Sequence, residues 1–248
     1  MTGSNPSDLR IELITNAEDI AASFDCTCKT FGSQTHDGIW IAMNPGWDTP
    51  EGRAKGIQRM AQRWAAVARD DDGELNTMFL KATLPDPQRS GERALVGVAI
   101  WVQASTIQGR GDIPAEDLRT AMDLEAVYPG NEAEQRYACQ LDRSLHRRRI
   151  EVIREKATAS PPAVMVLDLC VVDPAFQGRG IAKKLVQWGL DEARRRGGLE
   201  AVLEASSMGR HVYAKLGFRQ EMEIEYHVDA EFADRDRPSN VFMRMQKE

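Results

Sequence analysis

The chain has 248 residues, 42% of them hydrophobic and 28% charged, and a formal net charge of −6. That is enough apolar chain for one large or decorated domain, while the acidic balance argues against a nonspecific nucleic-acid binder, which a phosphate backbone would repel. No apolar run approaches the ~20 residues of a membrane span, and four cysteines in this length do not make a disulfide scaffold.

Residues 1–8 are polar and expected to be disordered. The opening Met1-Thr2-Gly3-Ser4-Asn5-Pro6 lacks a basic and then apolar leader, so a reduced, cytoplasmic protein is expected, with the nucleus an open alternative. Residues 9–14 alternate apolar and polar and predict a first strand. Asn16 caps a helix whose periodicity covers 20–31, with Glu18 and Asp19 at its positive end. Cys26-x-Cys28 has no matching pair or histidine cluster, so no metal site is expected. Residues 32–50, with Trp40, Pro45, Gly46 and Trp47, read as loop. A helix follows over 51–69, carrying Ile57, Met60, Ala61 and Trp64 at helical spacing. Residues 77–83 and 94–103 predict a hairpin.

Residues 106–162 predict two helices. One is opened by Pro114 and ended by Tyr128-Pro129-Gly130. A longer one over 132–156 carries Tyr137, Leu141 and Leu145 along one face. The pair is either a cover for a binding site or a buttress and homodimer surface. An almost unbroken apolar run over 164–172 predicts a central strand buried on both faces. Asp168 interrupts it, and strict alternation places it on a face with Val166, Cys170 and Val172. A carboxylate there needs a partner or a wet cleft.

The turn that follows, 173–182, leads through glycines into a helix over 180–196. A helix so entered offers unpaired N–H groups and a positive dipole end to a phosphate. It is not a Walker loop, which ends in Gly-Lys and then Ser or Thr, nor a dinucleotide fingerprint, which belongs to a first strand–helix unit. Arg194, Arg195 and Arg196 before Gly197 and Gly198 make a helix end with cations at its negative pole. Residues 200–205 predict the next strand and 213–218 a short closing segment. Residues 221–228 alternate, with Met222, Ile224, Tyr226 and Val228 opposite Glu221, Glu223, Glu225 and His227. A charged loop and a last strand over 241–245 finish the chain.

The order Gln177-x-x-Gly180-x-Ala182 resembles the acetyl-CoA pyrophosphate loop of the GNAT acyltransferase superfamily. Tyr213-Ala214-Lys215-Leu216-Gly217-Phe218 resembles that family's tyrosine-containing closing motif. The two lie in order, about 30 residues apart as in a strand–helix–strand unit. The resemblance is to fungal members more than to histone-modifying ones. It implies a mixed α/β fold in one domain over 9–248: a mostly antiparallel central sheet with splayed central strands, flanked by helices, with 106–162 as a helical insertion and 164–218 as the acetyl-CoA core.

It also implies acetyl-CoA as cosubstrate and an amine of a small molecule or peptide as acceptor, with no metal, nucleic acid or membrane involved. A protein-lysine acetyltransferase and a non-catalytic acyl-CoA-binding module are the alternatives. Gln177, Gly178, Arg179, Gly180, Ile181 and Ala182 would hold the pyrophosphate, Arg179 adding charge-assisted contact. Backbone around Cys170, Val171 and Val172 would pair with pantetheine, Cys170 itself being packing rather than nucleophile. Ser206 stands where many members carry an asparagine that contacts CoA, and Arg210 would approach the adenosine phosphates. Asp168 would be the base, its pKa raised by burial, or else the buried partner of a neighbouring arginine. Tyr213 would protonate the departing thiolate.

Overall fold

A computed structural model describes residues 8–86 and 88–245. The expected disorder of 1–8 lies, but for Asp8, outside the described residues. Seven strands form one sheet in the order β1-β2-β3-β4-β5-β7-β6: β1 Arg10–Leu13, β2 Thr77–Pro85, β3 Arg93–Ala104, β4 Val164–Val172, β5 Glu200–Ser206, β6 Phe218–Glu223 and β7 Asn240–Met245. Every neighbouring pair is antiparallel except β4 and β5. A parallel pair needs a crossover, supplied here by α6, Ile181–Arg195.

Helix α6 packs one sheet face through Ile181, Leu185, Val186, Leu190 and Ala193, against Trp101, Met165 and Leu203. Gly189 is required at this contact, because a Cβ there would stand 2.0 Å from the Trp101 ring. The arginines at its end are tied down: Arg196 donates to Glu192, Gln103 and the Leu75 carbonyl. The opposite face is covered by α1 (Ala17–Thr27), α3 (Pro50–Ala65) and α5 (Glu132–Glu155). Ile20 with Met60, Ala61 and Trp64 covers Phe79 and Ile100, and Val152 with Ile153 covers Val164, Val166 and Val202.

The splay of the central strands is visible in their register. β4 and β5 pair only from Val164↔Glu200 to Leu167↔Leu203. There β4 carries an extra residue: Trp101 opposes Leu167 and Ile100 opposes Leu169, leaving Asp168 without a partner across the ladder. Such a bulge bends its strand, so β4 turns away from β5, which continues along β7 through Ser206↔Asn240. The bulge also corrects the alternation expected of β4. Val166 lies under α5, whereas Cys170 and Val172 join the α6 cluster; Asp168 shares a face with the first, not the other two.

Other elements differ from expectation for local reasons. Asn16 caps α1 as expected, accepting from the Asp19 N–H, but α1 widens into a π-helical stretch over Cys28–Gln34. From it the Thr30 hydroxyl reaches both the Cys26 and Val172 carbonyls. The expected loop over 32–50 contains a helix, α2 (Gly38–Met43), started by Asp37, which accepts from the Ile39 and Trp40 N–H groups. No continuous helix runs from Pro114. Asp117 and Asp123 each start a fresh turn, giving a 3₁₀ segment over Leu118–Thr120 and then α4, Leu124–Val127. The strand expected over 221–228 ends at Glu223, yet Tyr226 and Val228 still pack with Tyr137, Leu141 and Phe232. Among the described residues no helix is long and apolar enough to cross a membrane.

Candidate active site

The wedge between β4 and β5 opens into a cleft of about 900 Å³, lined from β4 by Asp168, Leu169 and Cys170, from β5 by Glu204 and Ser206, and by residues of α2, α3, α4 and α5. Leu118, Met122 and Ala126 of the 106–162 segment line it, so this segment borders the cleft.

At the wedge floor, four charged side chains far apart in sequence meet. Asp168 accepts from Arg63 Nη2 at 2.8 Å and from Arg149 Nη1 at 2.7 Å. Arg149 also grips Glu204, with Nε at 3.0 Å from Oε1 and Nη2 on Oε2. Burial alone would raise the Asp168 pKa, but Arg63 and Arg149 outweigh it and hold the carboxyl well below the usual range. Burial likewise works against the Arg149 charge and is outweighed by Glu204 and Asp168. A carboxylate held this way is a poor proton acceptor near neutral pH, so of the two readings of Asp168 the geometry favours the arginine partner.

An imidazole stands beside this network. Asp142 and His146, four apart on α5, both line the cleft, with Asp142 Oδ1 3.0 Å from His146 Nδ1. Asp142 thus faces Nδ1 of the ring, the side opposite Nε2. The signal for this pair was in the sequence, at i and i+4 beside Leu141 and Leu145 on the helix face that turns inward. Arg63, Arg149 and Glu204 had no such local signal.

Tyr213, on α7 (Arg210–Lys215), lines the other side of the wedge, as Cys170 does from β4. Burial and that thiol push the phenol pKa well above its ordinary value, so it stays protonated. Burial pushes the Cys170 thiol up to about 12, Tyr213 opposing it. A thiol in that state is no nucleophile.

The glycine turn lies after β4. Gly178 and Gly180 both have φ of +76°, a conformation costly for other residues, and nothing stands within 4 Å of where their Cβ atoms would be. No side chain caps α6 at Gly180, so its first N–H groups are presented beside open space. Gln177 braces the turn, donating to the Val172 carbonyl at 3.0 Å and exchanging hydrogen bonds with Gln34. Arg179 lies over the Phe176 ring at 5.1 Å. Beyond Leu167 the β5-facing edge of β4, at Cys170 and Val171, carries no ladder partner, although the Val172 carbonyl is taken by Thr30 and Gln177. Ser206 lines the cleft. Arg210 is directed elsewhere, its Nη2 donating to the carbonyl and hydroxyl of Ser239 at 2.8 Å. Among the described residues there is no group of three or more His, Cys, Asp or Glu side chains that could hold a metal.

Comparison with known proteins agrees with this arrangement. Residues 147–218 match the model of the acetyltransferase (GNAT) family. A glucosamine 6-phosphate N-acetyltransferase of Trypanosoma brucei brucei is 34% identical over 68 residues, 27% of this chain and 46% of that protein. The chain therefore spans less than half the length of the curated relative it matches. Among solved structures, a mosquito arylalkylamine N-acetyltransferase like 5b superimposes with a TM-score of 0.60 at 14% identity, over 95% of this chain and 98% of the other. A Drosophila melanogaster polyamine N-acetyltransferase gives 0.58 at 12% identity, over 96% and 98%. At such identities the likeness is one of fold. Residues 147–218 thus match the GNAT acetyltransferase family, and the sheet and helices around them share the fold of these solved acetyltransferase structures.

Proposed function

We propose that this protein transfers an acetyl group from acetyl-CoA to a primary amine. The observation that carries this reading is the wedge: an unpaired strand edge at Cys170 and Val171, beside a helix N-terminus opened by two left-handed glycines. These residues suit the two ends of the cosubstrate. The open edge suits amide pairing with pantetheine, and the turn over 177–182 suits a pyrophosphate. Matched relatives are described as acting on glucosamine 6-phosphate, arylalkylamines and polyamines, which supports an amine acceptor.

Bound acetyl-CoA supplies an activated acyl group: the acceptor nitrogen forms its C–N bond as the C–S bond breaks. The chain's own residues do the rest. His146, oriented by Asp142, takes the proton that the nitrogen loses. Asp168, kept ionised by Arg63 and Arg149, does not compete for it and anchors the floor on which the acceptor sits. Tyr213 presents a protonated phenol at the wedge, where a departing thiolate gathers negative charge.

The test is CoA release, read with a thiol reagent across aminosugars, amino acids, arylamines, polyamines and lysine or N-terminal peptides. Release above hydrolysis with one acceptor class supports transfer; silence from protein shown to bind acetyl-CoA favours a binding module. Tyr213→Phe should lower kcat by about tenfold at unchanged CoA affinity. The effect is modest because a thiol of pKa about 8.5 already leaves readily and a phenol raised this far assists more by hydrogen bond than by full transfer. An unchanged kcat removes Tyr213 from the mechanism. Gly180→Asp adds a side chain to a left-handed residue and a carboxylate at the helix N-terminus. CoA binding by calorimetry should weaken at least about tenfold; equal affinity would place the pyrophosphate elsewhere.

A further inference from the structure

The charges along α3 bear on which amine is acetylated. Lys55, Arg59 and Arg63 are four apart and all line the cleft, as one helix stripe does. Arg63 is neutralised by Asp168. Arg59 is not: its Nη2 donates to the Met43 carbonyl at 3.3 Å and to Asn44 Oδ1 at 3.0 Å, both uncharged. The guanidinium is partly buried, and burial works against its charge.

The carboxylates of the cleft are already engaged. Asp37 accepts from the Ile39 and Trp40 N–H groups and Asp123 from that of Ala126, each closing a helix start. Asp142 holds His146. Asp168 and Glu204 are bound by arginines. Arg59 is therefore left without a counter-ion among the described residues, with Lys55 one turn away at the exposed rim of the cleft. A half-buried guanidinium without a counter-ion is costly, and a bidentate acid group relieves that cost.

We propose that Arg59 and Lys55 form a subsite for an anionic group, a phosphate or a carboxylate, carried by the acceptor, so that the amine acetylated belongs to an amino acid or a phosphorylated amine. The proposal rests on the acetyl-transfer reading above. A polyamine would instead bring a second ammonium against Arg59.

The test compares acceptors matched but for the acid group: glucosamine 6-phosphate with glucosamine, and an amino acid with its decarboxylated amine, with spermidine alongside. The acid-bearing member of at least one pair is expected to have a kcat/KM at least about tenfold higher, as a charge-assisted bidentate contact warrants, and which pair responds tells phosphate from carboxylate. In Arg59→Gln that ratio should fall about tenfold, through KM, with Arg59→Lys between the two. Equal rates within both pairs, a preference for spermidine, or an Arg59→Gln variant that lowers every acceptor alike would overturn the subsite and leave Arg59 a prop for α2. Calorimetry of glucosamine 6-phosphate and of the amino acid into CoA-loaded protein separates the two readings. Binding that Arg59→Gln abolishes, without thiol release, sustains the subsite while transfer fails. Thiol release with no such binding and no acid preference sustains transfer while the subsite fails.

Discussion

Replacing His146 with glutamine is expected to lower kcat by about 10²–10⁴-fold, the usual worth of a positioned general base, while CoA affinity stays as in the parent. The amine must lose a proton as it attacks, and the cleft offers few groups able to take it. Asp168 is clamped by two guanidiniums, Glu204 by one, and Asp37 is committed to the start of α2. His146 is the histidine that lines the cleft among the described residues, with Asp142 3.0 Å from its Nδ1. Charged groups beside it include Asp142 on its own helix and Asp168 on β4. Asp142→Asn keeps the contact with the ring but removes the neighbouring charge, so its loss should be smaller. If His146→Gln retained parental kcat, solvent rather than this side chain would be taking the proton.

Replacing Arg149 with methionine is expected to destabilise the fold by about 3–5 kcal/mol, the cost of stranding one member of a buried ion pair. Arg149 and Glu204 are 12% and 4% exposed, and Glu204 has no other ion-pair partner among the described residues. Asp168 keeps Arg63, so the penalty falls on Glu204. Urea unfolding should show a lower midpoint at unchanged m-value. Arg149→Met combined with Glu204→Leu removes both charges and should recover roughly half of the loss or more; a double variant no more stable than the single would mean that the arginine acts through packing.

There is an accompanying pH dependence. Burial raises the Asp168 pKa, but Arg63 and Arg149 together depress it. A depressed folded-state value gives stability that is present above the unfolded pKa of about 4 and lost as the pH falls through the folded one. Arg149→Met has less of this contribution, so its stability should decline less steeply than the parent's in acid. Equal slopes would mean that Asp168 is held by Arg63 alone.

Much of the frame was legible in the sequence because it rests on short-range physics. Alternation marked the hairpin of β2 and β3, an unbroken apolar run marked β4, and residue preferences at helix ends marked Asn16 and the close of α6. The glycine turn could be read because a left-handed backbone at 178 and 180 tolerates few other residues. Tyr213 and Ser206 both line the cleft. The helix expected from Pro114 is broken on equally local grounds: Asp117 and Asp123 each cap a fresh turn and restart the chain.

What the sequence by itself determined was thus most of the strands and helices in their order, the left-handed glycine turn and the family that residues 147–218 match. Only the tertiary structure decided the electrostatics. Arg63, Arg149, Asp168 and Glu204 come from α3, α5, β4 and β5, and a bulge at Asp168 chooses the face on which they meet. A pKa depends on distances among such groups rather than on neighbours in the chain, so the same Asp168 that reads as a base in isolation becomes a fixed anion once two arginines close on it. Arg59 meanwhile keeps only uncharged partners, while Asp168 and Glu204 are bound by arginines.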